Sequence, residues 1–212
     1  MKALFGVLDR LGEPFEVIVV DDASTDRTAE IAQEHGAWVL HVNHRQIAAT
    51  RNAGGRAVKG DMLIFVDADT IVNEKVMRGA VEAMRSGAAG GGCFLEIEGT
   101  LPFYARVLVP IFLAVYRGLG FTGGGFLFCT KAAFEAVGGF DEALYATEEV
   151  TMTLALRRQG RFVLLRDKVV TSGRKLRSHS AGEVVGTFLK LVFKGQKFAK
   201  DRKGLGLWYR SR

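Results

Sequence analysis

The 212-residue chain has only two cysteines, Cys93 and Cys129. They lie far apart with no paired spacing, which excludes a disulfide scaffold or a cysteine-rich zinc module and points to a reducing compartment. Internal repeats and low-complexity tracts are absent. So is any apolar run of the roughly 20 residues that a membrane-spanning helix needs. The most apolar stretch, 102–116, is interrupted by Arg106 and Pro110. The opening MKALFGVLDRLGEPF carries acids and ends in Gly-Glu-Pro, so it reads as a helix that stops and not as a secretory signal. Apolar residues make up 48% and charged residues 25%, which disfavours disorder, coiled coil and collagen-like repeats. The length suits one substantial domain, against a usual size of about 150 residues, with room for a short appendage.

The formal net charge of +6 conceals an asymmetry. Up to residue 156 there are 13 Lys and Arg against 20 Asp and Glu, a balance of −7; from 157 onward there are 16 against 3, a balance of +13. An acidic body with a basic tail suggests a binding centre in the former and an attraction to anionic surfaces in the latter.

Along the chain, EVIVV at 16–20 is a short β-branched run that stops at Asp21 and Asp22. Such a run reads as a strand buried on both faces. A helix over 25–35 halts at Gly36, a strand follows at 37–42, and a helix weakened by Gly54 and Gly55 covers 46–58. The run 62–66 is again a buried strand, ending in Asp67 and Asp69, and 74–86 is a helix. This alternation predicts an α/β fold, with a mostly parallel, Rossmann-like sheet and helices on both faces. Beyond 88 come a glycine-rich stretch at 90–92, a strand at 93–97, a helix at 102–116, the strand FLFCT, a helix at 131–137, a Gly-Gly-Phe-Asp turn at 138–141 and a helix at 148–159.

Ligands of such sheets bind at the carboxyl ends of the strands, and two strands here end in acids. Hard oxygen donors spaced two apart, as in Asp67 and Asp69, can reach one divalent cation and its phosphates. A solvated strand end is the plain alternative. Clustered carboxylates without a cation repel one another, which strengthens the metal reading. Glu148 and Glu149 open a helix, where the dipole favours acids whether or not they take part in chemistry.

Together, VVDDASTDRT at 19–28, ATRNAGGRAVKGDMLIFVDAD at 49–69, GGF at 138–140 and the EE-initiated helix running to RRQGRFV at 148–163 resemble inverting glycosyltransferases of family 2. The resemblance spans about residues 5–175 and implies a GT-A nucleotide-sugar fold. It places Asp21 and Asp22 near the nucleobase and ribose, Arg51 near the nucleotide, Asp67 beside ribose and metal, and Asp69 as principal ligand of Mg2+ or Mn2+. Glu149, or Glu148 beside it, takes the catalytic-base position that the family usually gives to Asp. Such enzymes move a sugar from a nucleotide-diphosphate donor to an acceptor hydroxyl. Family members also open with a strand ending in a Pro-x-Tyr-Asn-Glu type sequence, and nothing before Phe15 matches it. The resemblance therefore implies an N-terminally truncated fold in which strands 16–20 and 62–66 lack their shared neighbour. That lack supports a second reading, a catalytically inactive module serving in binding or partner interaction. Sugar nucleotidyl transfer would want a basic glycine-rich loop after the first strand, and none is seen.

The expected organisation is a GT-A domain over 1–178 and a basic amphipathic helix and tail over 179–212. In the tail, apolar residues between 184 and 198 interleave with Lys190, Lys194, Lys197, Lys200, Arg202 and Lys203. Such a helix either lies in a membrane interface or packs its stripe on the domain. The expected partners are a nucleotide-sugar donor, a lipid-linked or polysaccharide acceptor and an anionic membrane surface, with no nucleic acid. The expected location is the cytoplasm, at the inner face of the membrane. Arg174, Lys175 and Arg177 are candidates for holding diphosphate or an anionic acceptor, or form a solvated loop. His35 and His179 read as surface residues, and Trp208 and Tyr209 as interface anchors or core caps.

Overall fold

A computed structural model of the chain describes residues 1–209. In chain order the elements are α1 (Lys2–Leu11), β1 (Ile18–Asp22), α2 (Thr28–Glu34), β2 (Trp38–Val42), α3 (Ile47–Ala57), β3 (Met62–Val66), β4 (Thr70–Ile71), α4 (Glu74–Arg85), β5 (Ala88–Glu98), α5 (Phe103–Gly118), β6 (Phe126–Thr130), α6 (Lys131–Val137), α7 (Glu148–Gln159), β7 (Arg161–Ser172), α8 (Arg174–Ser178), α9 (Ala181–Lys194), α10 (Gln196–Ala199) and α11 (Gly206–Tyr209).

The strands form two sheets, a parallel pair β1-β2 and a five-stranded sheet in the order β3-β6-β5-β7-β4. The α/β class holds. The expectation of a mostly parallel sheet needs correction: β1-β2 and β5-β7 are parallel, whereas β3-β6, β5-β6 and β4-β7 are antiparallel. The physical reason lies in β6. It wedges between β3 and β5 and pairs antiparallel with both, so the sheet reverses direction twice there. Among the described residues no backbone ladder joins β1 to β3.

Helices cover both faces of the larger sheet, as the apolar strands require. Side chains alternate with period two along a strand. Ile64 and Val66 of β3, with Phe126 and Phe128 of β6, face α4 and the α1 residues Val7 and Leu8. Leu63 and Phe65, with Leu127 and Cys129, face the other way onto Ala48 of α3, Phe134 of α6 and Met152 and Leu156 of α7. α1 ends at Gly12 in the left-handed conformation, φ 69°. Both cysteines are buried free thiols.

Three expectations change in detail. The glycine-rich stretch 90–92 is strand, at the centre of the sheet: a Cβ on Gly91 would come within 2.2 Å of the Val163 carbonyl oxygen and 2.3 Å of the Phe128 ring. β7, twelve residues long and paired along most of β5, was not foreseen as a strand. The tail is not one helix. α9 stops at Gly195, φ 53°, and the chain then folds back as α10, a 3-10 turn at Arg202–Gly204 and α11. Phe198 and Leu205 bury against Ala146, with Tyr145, Leu191, Trp208 and Tyr209 around them, so much of the tail's apolar surface packs on the body.

Candidate active site

The acids at the two strand ends are gathered by α3. Thr50 donates its hydroxyl to Asp22 at 2.7 Å, and the next residue, Arg51, donates to Asp67 at 2.6 Å. Consecutive residues of one helix thus tie the tip of β1 to the tip of β3, although the strands themselves share no ladder. Arg51 reaches further, to Glu148 at 2.8 Å and the Gly124 carbonyl at 2.8 Å, and its guanidinium stacks 5.4 Å from the Phe140 ring. A planar fork with several donors is needed to hold partners from four segments at once, which a lysine could not do. Burial opposes the charge of Arg51, but Asp67 and Glu148, with Glu149 behind them, outweigh it and push its pKa up.

Glu148 and Glu149 open α7 behind Thr147, which adopts a left-handed backbone at φ 62°. Glu148 is buried with its charge met by Arg51. Glu149 lies beside the backbone at Gly124, where an added Cβ would sit 3.5 Å from its carboxyl carbon. Burial and then the charge of Glu148 push the Glu149 pKa up to about 8. The two neighbours in sequence therefore differ. One is locked in an ion pair, and the other holds its proton more tightly than an ordinary carboxyl.

Asp22 caps the loop into α3. It accepts the backbone N–H groups of His44, Arg45 and Gln46 at 2.6, 2.8 and 3.1 Å. Burial opposes its ionisation, yet these donors and Thr50 hold its pKa below the usual range. Asp21, the preceding strand residue, contacts Ser24 and the His41 ring at 3.2 Å each. Bonding to Ser24, with a lesser contribution from His41, lowers its pKa against the cost of burial. Asp67 and Asp69 sit on a tight turn between β3 and β4. The Asp67 N–H donates to Gly125, Thr70 N–H donates to the Asp67 carbonyl, and Ser172 N–H donates to the Asp69 carbonyl. Both side chains are partly exposed.

The structure thus brings Asp22, Arg51, Asp67, Glu148 and Glu149 together around the start of α3, with Asp69 two residues past Asp67 and Asp21 turned toward His41. Sequence reasoning gave no role of their own to Asn52 or Phe140 and read the tail tyrosine, Tyr209, only as an interface anchor or core cap. Asn52 is buried and clamps the Gly-Gly-Phe turn, accepting from Phe140 N–H at 2.8 Å and donating to its carbonyl at 2.9 Å. Its position beside Arg51 was the available signal. Tyr209 accepts the Ile47 N–H at 3.4 Å, closing the tail over the head of α3. The tail-side candidates lie apart. Arg177 donates to the Glu98 carbonyl, Arg174 is exposed, and the Lys175 side chain lies outside the described residues. His35 is exposed, with its ring bonded to the Ile31 carbonyl at 2.8 Å, and His179 contacts Ser178.

For a divalent cation the donor set is spare. Among the described residues no group of three or more His, Cys, Asp or Glu is assembled to hold a metal. Asp67 and Asp69 remain, two residues apart on one tight turn and offering hard oxygens, which fits a cation that takes most of its sphere from phosphate and water.

The sequence pattern of glycosyl transferase family 2 matches residues 2–135. The chain belongs to glycosyl transferase family 2. The match takes in both strand-end acid pairs and Arg51 and stops before α7. An undecaprenyl-phosphate 4-deoxy-4-formamido-L-arabinose transferase of Edwardsiella ictaluri is 39% identical over 77 residues, 32% of this chain and 23% of the relative. A low-salt glycan biosynthesis hexosyltransferase of Haloferax volcanii is 31% identical over 112 residues, covering 49% and 27%. This family 2 chain thus spans about a quarter of the length of these curated relatives. Among solved structures, Staphylococcus aureus TarS 1–349 with UDP-GlcNAc superposes with a TM-score of 0.61 at 18% identity, over 92% of this chain and 63% of that one. A mannosyltransferase from Pyrobaculum calidifontis with GDP-Man and Mn2+ gives 0.60 at 19%, over 99% and 64%. At these identities the likeness concerns the fold, which is GT-A.

Proposed function

We propose that this family 2 chain transfers a sugar from a nucleotide-diphosphate donor to an acceptor hydroxyl, with inversion at the anomeric carbon. The observation that carries the reading is the Arg51 bridge: one buried guanidinium binds the acid ending β3 and the acid opening α7, so donor-side and base-side carboxylates share one place. The UDP-GlcNAc and GDP-Man carried by the two structural neighbours support a nucleotide-sugar donor.

In this reading Asp21 and Asp22 flank the base and ribose, Arg51 and Asp67 border the nucleotide, and Asp69, with Asp67, holds Mg2+ or Mn2+. The cation supplies charge neutralisation for the departing diphosphate. Of the two glutamates, Glu149 is the base, because Glu148 is engaged by Arg51. The acceptor hydroxyl gives its proton to the Glu149 carboxylate while its oxygen bonds to the anomeric carbon. The bond from that carbon to the donor phosphate oxygen breaks, and its electron pair leaves with the nucleoside diphosphate. A carboxyl with a raised pKa is a stronger proton acceptor once ionised, which suits this step near neutral pH. The acceptor is lipid-linked or polysaccharide, presented at the inner face of the membrane.

Thermal denaturation with UDP or GDP, with and without Mn2+, tests the reading. We expect metal-dependent stabilisation that Asp69→Ala removes, since a ligand binding only the folded state raises the midpoint. No metal-dependent shift with either nucleotide would overturn it. The separation of β1-β2 from β3 is the one observation favouring an inactive binding module, which would bind nucleotide yet form no product with any acceptor.

A further inference from the structure

No helix among the described residues is long and apolar enough to cross a membrane. The molecule nevertheless exposes an unusual amount of apolar surface in one region. Along α5 and its C-terminal cap, Phe103, Val107, Ile111, Val115 and Leu119 recur every fourth residue and are 77, 48, 58, 54 and 57% exposed. On α9, Val192 and Phe193 are 74 and 83% exposed. The two helices meet at Phe112 and Phe188, whose ring centroids are 5.0 Å apart. Two apolar stripes therefore adjoin in one face, which an isolated soluble domain rarely leaves bare.

Charge identifies what covers it. Arg106 and Arg117 are exposed on α5, and Lys190, Lys194, Lys197 and Lys200 are exposed on α9 and just beyond it. From Lys190 to Tyr209 the only acid is Asp201. Apolar stripes edged by long cationic side chains match a bilayer with anionic headgroups, where aliphatic stems follow their ammonium groups to the interface.

The face also continues toward the site. Phe112 contacts Tyr116 at 4.4 Å, and Tyr116 contacts Phe121 at 5.6 Å. Burial, and then the nearby charges of Glu149 and Glu148, raise the Tyr116 pKa. On the other side Phe188 contacts Trp208 at 6.5 Å, next to the Tyr209 that closes over α3.

The geometry points to α5 and α9 as a monotopic platform that seats this protein on an anionic phospholipid leaflet, with the ring contacts Phe112–Tyr116–Phe121 leading from the leaflet toward Gly124, beside Glu149, so that the acceptor is a lipid-anchored hydroxyl compound. The acceptor class rests on the reading proposed above; the platform does not.

Flotation of the full chain with extruded vesicles, either phosphatidylcholine alone or equal parts phosphatidylcholine and phosphatidylglycerol, tests the platform without requiring catalysis. We expect flotation at low salt with the phosphatidylglycerol vesicles, weakened by added salt. The doubly substituted Val192→Glu/Phe193→Glu protein should lose roughly tenfold or more in vesicle affinity. Lys194→Gln should lose about fivefold, each lysine near an anionic surface contributing about 1 kcal/mol. Because these side chains are exposed, both variants should keep the wild-type unfolding midpoint and nucleotide response. No flotation at low salt, or flotation unchanged in the double variant, overturns the platform. A dimer in lipid-free sedimentation that the double variant abolishes also overturns it, because a second copy then covers the face. Flotation without any nucleotide response would uphold the platform while defeating the transferase reading.

Discussion

The two strand tips that carry acids solve the same electrostatic problem in different ways. Asp22, at the end of β1, is surrounded by donors from the loop that follows β2 and from Thr50, so its charge is met by short-range backbone geometry. Asp67, at the end of β3, shares one guanidinium with Glu148, which lies 81 residues further along the chain. The first arrangement is complete in itself and shapes a loop. The second hinges on a single side chain whose partners come from four other segments, so anything that moves Arg51 rearranges both carboxylates. Backbone-satisfied acids build a site, whereas acids held by one cation leave it able to respond to a ligand.

The largest expected effect breaks the second arrangement. Arg51→Met should destabilise by about 3–5 kcal/mol in urea unfolding, because Glu148 is left buried without a counter-charge. Adding Glu148→Gln should recover a substantial part; if it does not, the ion pair is not what the arginine supports. Breaking the first arrangement should cost less. Asp22→Ala removes the acceptor of three N–H groups at the head of α3 and should lose about 2 kcal/mol by the same measurement. A cost equal to that of Arg51→Met would erase the distinction. The smallest effect sharpens it through pH. Burial and the charge of Glu148 push the Glu149 pKa up to about 8 from the ordinary carboxyl value of 4.5, so its contribution to stability is present at low pH and is lost as pH rises through that window. Glu149→Gln, which cannot ionise, should therefore gain on the wild type in unfolding midpoint between about pH 5 and about pH 9. A constant difference would show that Glu149 titrates normally.

Two strands of the larger sheet, β3 and β6, were legible because they are short and largely apolar. MLIFV and FLFCT have the expected bounds, since residues buried on alternate sides leave no helical stripe to confuse them. β7 was not legible. Its sequence, RFVLLRDKVVTS, mixes charges into an apolar run, because the strand is long and its middle is exposed around Arg166–Lys168 while Val169 is buried. Gly90, Gly91 and Gly92 read as a break for a related reason: glycine normally weakens a strand, and only the closeness of Phe128, Val163 and, at Gly92, Thr122 makes it necessary here. In the site, the acids announced themselves by ending strands and opening a helix. Arg51 could be named from the motif, but its simultaneous grip on Asp67 and Glu148 depends on how α3 crosses two sheets, a relation between distant segments that no local pattern encodes. The continuous tail helix failed at Gly195, where the return of Phe198 and Leu205 onto Ala146 required a turn.

The separateness of the β1-β2 pair also has a dynamic consequence. Two parallel strands with no third neighbour among the described residues form a small cooperative unit, fastened to the rest through α3 and shared apolar packing. Opening of that unit would let the amides of Ile18–Asp22 exchange with solvent while β5, β6 and β7 stay protected. The nucleotide-facing half of the molecule would then breathe on its own, leaving the acid pair on α7 standing.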